Sequence, residues 1–109
     1  MSFDIYVKAK LEGVDQYVTL SDRLTPTYNL SKLIAMSTGW KISQREFNGT
    51  TEEIGKMLET GIQNLQNEPE KFRQYEAPNG WGTIEDALIF FNKLLVDCKE
   101  FPYGRIYVG

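Results

Sequence analysis

Residues 79–98, Asn79-Gly80-Trp81-Gly82-Thr83-Ile84-Glu85-Asp86-Ala87-Leu88-Ile89-Phe90-Phe91-Asn92-Lys93-Leu94-Leu95-Val96-Asp97-Cys98, decide the fold. A glycine-rich loop runs straight into the strongest helical pattern in the chain. Thr83 stands where an N-cap belongs, and Glu85 and Asp86 put negative charge on the first turn, where the helix dipole favours it. At 100° per residue, Ile84, Ala87, Leu88, Phe91, Leu94, Leu95 and Cys98 fall within an arc of roughly 120°, a core-facing stripe. Ile89 and Val96 form a second, thinner apolar stripe, leaving Asp86, Lys93 and Asp97 as the wet face. A helix this apolar predicts a central element on which the others pack.

Outward from it, the helix runs to about Lys99. Pro102 and Gly104 end it, and Arg105-Ile106-Tyr107-Val108 reads as a short final strand. On the other side, Thr50 and Glu53 stand at capping-box spacing. Ile54, Met57, Leu58, Gly61, Ile62 and Leu65 then trace a second helix to about Gln66. Gly61 inside that stripe costs about 1 kcal/mol against Ala, which predicts a close helix contact there. Pro69 suits the first position of a short helix whose apolar contacts are Phe72 and Tyr75.

The N-terminal half reads as sheet. Phe3, Ile5, Val7 and Ala9 alternate with Asp4, Tyr6 and Lys8, the pattern of a half-buried strand. Residues 16–20 form a second β-rich run, and the turn chemistry of Glu12-Gly13-Val14-Asp15 predicts a hairpin. Ser21-Asp22-Arg23 and Thr25-Pro26 lead the chain out. A short helix follows over about 30–38, capped by Asn29 or Ser31 and stopped by Gly39, with Leu30, Leu33, Ile34 and Trp40 facing the core. Residues 41–49 read as a loop or a short extended piece. The expected fold is a single α+β domain over residues 1–109. Its sheet is antiparallel or mixed, with about three strands (the hairpin plus the C-terminal strand), packed with three to four helices.

Composition narrows the functions. The chain has 109 residues, 41% of them hydrophobic and 25% charged, ordinary values for one globular domain. Twelve basic residues against 15 acidic ones give a net charge of −3, the reverse of the basic balance of a nucleic-acid binder, so direct nucleic-acid binding is not expected. Cys98 is the only cysteine, which excludes an internal disulfide and a cysteine-based zinc site. On a helix stripe it reads as a small buried hydrophobe. No basic region followed by an apolar run opens the chain, and no stretch is long enough to span a membrane. A cytoplasmic location is the expectation.

The chain has no histidine, which removes Ser-His-Asp and Cys-His catalysis, His-ligated metals and the commonest general base near neutral pH. The carboxylates sit in helix first turns or near chain reversals. Asp4, which interrupts an apolar strand, reads as outward-facing. No phosphate-loop, dinucleotide or calcium-loop pattern occurs. The expectation is a protein that is not an enzyme and uses no cofactor or metal.

The candidate binding residues are aromatic and lie beside loops. Asn79, Gly80, Trp81 and Gly82 form a tight turn in which Trp81 either covers the core edge or anchors a ligand or partner. The same loop could cradle an anion at a helix N-terminus, although it is short and lacks the lysine of a phosphate loop. Tyr28 and Asn29 precede the first helix, Asn29 also serving as its cap. Tyr6 and Tyr107, near the two ends of the chain, could share one sheet face. Left uncovered, that face is expected to be an aromatic, weakly acidic surface.

Several of these pieces together resemble a family of small bacteriophage and prophage proteins. They are Phe3-Asp4-Ile5-Tyr6-Val7, Thr27-Tyr28-Asn29-Leu30, Gly61-Ile62, Asn79-Gly80-Trp81-Gly82-Thr83 before an apolar helix with Cys98 near its end, and Pro102 before a final strand. The family has no settled function and no assigned catalytic residues. The resemblance implies a phage or prophage origin and expression inside a bacterial cell. By analogy of setting it also implies binding to a host protein or complex, for example to inhibit an antiviral defence in the manner of an anti-CRISPR. Two alternatives stay open: a binder of a nucleotide or signalling molecule at the 79–83 loop, and a phage accessory protein that self-associates through Ile89 and Val96.

Overall fold

Two capping boxes start the two long helices. The computed structural model describes residues 1–109. In it the Thr50 hydroxyl accepts from the Glu53 N–H at 3.1 Å, and the Glu53 carboxylate accepts from the Thr50 N–H at 3.4 Å. The helix they open is α2, Thr51–Asn67. Thr83 and Asp86 repeat the arrangement, both bonds at 3.2 Å, to open α4, Ile84–Glu100. Both boxes satisfy N–H groups that a helix start otherwise leaves unpaired. Two shorter helices complete the set: α1, Ser31–Thr38, and α3, Pro69–Phe72, with Pro69 at its first turn. Gly39 ends α1 as expected. The cap is different. Thr27, not Asn29 or Ser31, accepts from the Asn29 N–H and starts a 3-10 turn over Tyr28–Leu30 that leads into α1.

The sheet has four antiparallel strands in the order β2-β1-β4-β3. They are β1, Ile5–Lys10; β2, Tyr17–Thr19; β3, Glu46–Thr50; and β4, Arg105–Val108. β1 and β4 form the centre, with Tyr6 opposite Tyr107 and Lys8 opposite Arg105. The expected hairpin and C-terminal strand are present, and β3 is the fourth strand, formed at the end of the 41–49 stretch read as a loop or a short extended piece. Its sequence, Glu-Phe-Asn-Gly-Thr, has no alternation to read, and a bulge between Phe47 and Gly49 breaks its register against β4. The strand is held from outside. Asn48 accepts from the Trp40 indole N–H at 3.1 Å and the Ser43 N–H at 2.8 Å, and donates to the Ser43 carbonyl at 2.8 Å and the Glu46 carbonyl at 3.0 Å.

The core lies between one face of the sheet and the helices. Ile5, Val7, Ile106 and Val108 are fully buried on that face, and Leu33, Ile34, Ile54, Leu58, Leu65, Phe91 and Leu94 meet them from the helices. The α4 stripe is buried as its spacing requires, with Leu88 and Leu95 at its half-buried margins. Phe90, outside the stripe, is buried as well, because the segment Leu24–Leu30 covers a second side of α4. Gly61 is the point of closest approach. A Cβ there would stand 2.4 Å from Thr38 Cγ2 and 3.1 Å from Phe91 Cε2, so only glycine lets α1, α2 and α4 meet. Gly55 lies against Cys98 and Gly61 against Phe91, so α2 and α4 run antiparallel. No helix is long and apolar enough to cross a membrane.

Candidate functional site

The 79–83 loop is built to stay in place. The Asn79 side chain accepts from the Trp81 N–H at 2.9 Å, a turn that asparagine makes readily, and the Gly80 N–H donates to the Ala77 carbonyl at 3.1 Å. Gly82 has φ +120, and a Cβ on it would lie 2.9 Å from the Asn29 carbonyl oxygen. The loop therefore sits directly on the backbone of the Tyr28–Leu30 turn. The structure thus brings Asn29 and the Asn79–Gly82 loop together, although some fifty residues separate them in sequence.

The same geometry counts against the anion-cradle reading. Three N–H groups at this helix start, including that of Ile84, are already occupied by carboxylates or a hydroxyl of the protein. The Ile84 N–H donates to the Glu76 carboxylate at 2.8 Å, the Thr83 N–H to the Asp86 carboxylate at 3.2 Å and the Asp86 N–H to the Thr83 hydroxyl at 3.2 Å. Glu76 is held in turn by Arg73 at 3.4 Å, which also reaches Glu70 and Glu85.

Trp81 is 72% exposed at the tip of this fixed loop. With that exposure it does not cover the core edge. Tyr28 is half-buried, its ring 4.6 Å from Phe3 in an edge-on contact and its hydroxyl bonded to the Gln44 amide. It lines a shallow concavity with Phe3, Ile42 and Gln44. None of the five concavities of the surface is lined by residues 79–82.

Tyr6 and Tyr107 form a separate group. They are cross-strand partners on the face of the sheet that turns away from the helices. Neither they nor Phe47 belong to the core or pack against it. Phe47 joins them there, its ring 5.2 Å from Tyr107 and 4.5 Å from Tyr17. The charge on this face differs from the weakly acidic surface expected. Lys8, Lys10 and Arg105 alternate with the tyrosines, and Asp4 is the one acid in the same alternation. Phe47, Lys8 and Arg105 were not among the candidates. The strand alternation already places Lys8 on the side of Tyr6, whereas Phe47 depends on the irregular β3.

Cys98 is buried against Gly55. Burial, with Asp97 adding to it, pushes its thiol up to about 12, so it carries no thiolate near neutral pH. Asp4 lies half-buried with Arg23 3.9 Å away. No group of three or more acidic or cysteine side chains converges as a metal site would require. Compared with protein-family models, with curated proteins and with solved structures, this chain finds no match in any of the three.

Proposed function

We propose that the protein is a non-enzymatic binding protein that docks on a host protein through Trp81. The observation that carries this reading is a large aromatic side chain, 72% exposed, on a loop whose backbone is fixed at both ends. Such a residue supplies much contact area for little ordering cost, the usual property of an interface anchor. The loop rests on the Tyr28–Asn29 turn and is braced by Glu76 and Arg73, so it needs no rearrangement to engage a partner. Combined with the resemblance to small phage and prophage proteins, the reading places the partner inside a bacterial cell, a component of an antiviral defence being the foremost candidate.

The test is an affinity capture from bacterial lysate with wild type beside Trp81→Ala, each checked by circular dichroism. The expected result is one dominant host protein held by wild type and lost by the folded variant. Equal capture by both, or none by either, rejects the loop as the docking element. Self-association has one observation in its favour. Ile89 and Val96 are 57% and 62% exposed and, seven residues apart, share one side of α4. Light scattering that shows only monomer rejects it.

A further inference from the structure

We propose that the outer face of the sheet is a platform for single-stranded nucleic acid, with bases stacking on its aromatic rings and phosphates meeting Lys8 and Arg105. The inference rests on this face alone and is independent of the Trp81 loop.

Three observations carry it. The first is shape. Tyr17 lies on one edge strand and Phe47 on the other, with β1 and β4 between them, yet their rings are 4.5 Å apart. The rings can meet only if the sheet coils strongly, so the face is a trough and not a plane. The second is chemistry. Tyr6, Tyr17, Phe47 and Tyr107 line the trough, and the hydroxyls of the three tyrosines make no hydrogen bond within the protein, leaving them free for a ligand. Lys8 lies 4.3 Å from the centre of the Tyr107 ring and 5.5 Å from that of Tyr6, a cation set among the rings.

The third is charge. Lys8 and Arg105 are cross-strand neighbours, and no carboxylate lies within ion-pair distance of either, whereas Lys10 is tied to Asp15 at 2.7 Å and Asp4 lies near Arg23. The negative net charge is concentrated elsewhere. Residues 51–100, which build the long helices, hold ten of the fifteen acids and only five of the twelve bases. The remainder of the chain is net positive. At physiological salt, charges more than about 8 Å apart are largely screened, so the local cations decide what this face attracts.

Cations without acidic partners set among partly exposed rings match a backbone-tracking, base-stacking ligand, and a four-stranded sheet accommodates roughly two or three bases in this way. An acidic peptide would use the cations and leave the rings idle. Duplex would offer phosphates without free base faces.

The experiment is fluorescence anisotropy of a labelled oligothymidylate of about a dozen nucleotides, from about 50 to 200 mM salt, against the full chain. The expected result is binding that weakens with salt, with a log–log slope near −1.4 for two phosphates neutralised. Lys8→Ala with Arg105→Ala should weaken binding at least about ten-fold and bring the slope towards zero. Tyr6→Leu should weaken it by about ten-fold with the slope retained. Trp81→Ala should bind as wild type. Thermal melts confirm that each variant is folded, and should Tyr6→Leu not fold, the exposed Arg105 and its neighbour Lys8 still decide. Absence of binding at the lowest salt overturns the proposal, as does unchanged binding by the double variant. Equal competition by duplex or by polyglutamate overturns it too, because the rings would then contribute nothing.

Discussion

The two faces of the sheet are built from the same strands and behave as opposites. β1 sends Ile5 and Val7 inward, both fully buried, and Tyr6 and Lys8 outward; β4 sends Ile106 and Val108 inward and Arg105 and Tyr107 outward. The inner face is sealed by α2 and α4, which approach closely because Gly61 removes a side chain where Thr38 and Phe91 would collide with it. The outer face has no helix over it. Its rings cover one another instead, and a lysine lies over them. Burial is thus divided: one face spends its apolar surface on stability, and the other keeps part of its surface for solvent or a ligand.

The largest test of that division is Ile106→Ala against Arg105→Ala, neighbours on β4 that point to opposite faces. The first should cost about 2–5 kcal/mol in urea unfolding, the usual loss for a fully buried isoleucine, and the second less than about 0.5 kcal/mol. Equal losses would break the comparison. Next comes the helical seal. Gly61→Ala should cost about 1–3 kcal/mol by overpacking, despite better helix propensity, because the buried Thr38 is held by its bonds to Ile34 and Trp40 and cannot retreat. Gly55→Ala, where the new Cβ would meet Cys98 at 3.5 Å, should be neutral or stabilising by up to about 1 kcal/mol. A shift of the same sign at both glycines would refute the assignment of Gly61 as the contact point.

Phe47→Leu should cost about 1 kcal/mol, since it keeps an apolar group and forfeits two ring contacts on the outer face. A loss as large as that of Ile106→Ala would show the outer rings to be a second core. The smallest effect lies at Asp97, on the rim of the helical layer. Desolvation, reinforced by Glu100 and Asp22, raises its carboxyl above the ordinary value. In the window between the ordinary and the raised value the folded state binds more protons than the unfolded one. Stability therefore falls as pH rises through that window, and the penalty is complete above it. Asp97→Asn should stabilise by about 0.3 kcal/mol at neutral pH, given solvent screening, and by nothing below pH 3. A gain of equal size at both pH values, read from thermal midpoints, would assign the effect to something other than this charge.

What was legible in the chain was whatever a few adjacent residues decide together. Thr50 with Glu53, and Thr83 with Asp86, start helices by bonds three residues apart, and the stripes of α2 and α4 follow from one helical period. The alternation of β1 and β4 was readable for the same reason. β3 was not, because a bulged five-residue strand takes its register from β4 and from Asn48. Of the candidate residues, Asn29 and the Asn79–Gly82 loop lie together and Tyr6 pairs with Tyr107, but they form two places and not one.

The sequence by itself determined the two long helices, their caps, the inner face of the sheet and the want of histidine chemistry. Each depends on residue type and short-range spacing. Only the tertiary structure decided that Trp81 stands clear of the core, that Glu76 fills the helix start that an anion would need, and that Lys8 and Arg105 stand side by side across strands without acidic partners. Those outcomes depend on which distant segments meet. A chain of net charge −3 can still present a basic trough, because folding sends its acids largely to the helices and its unpaired cations to the opposite face.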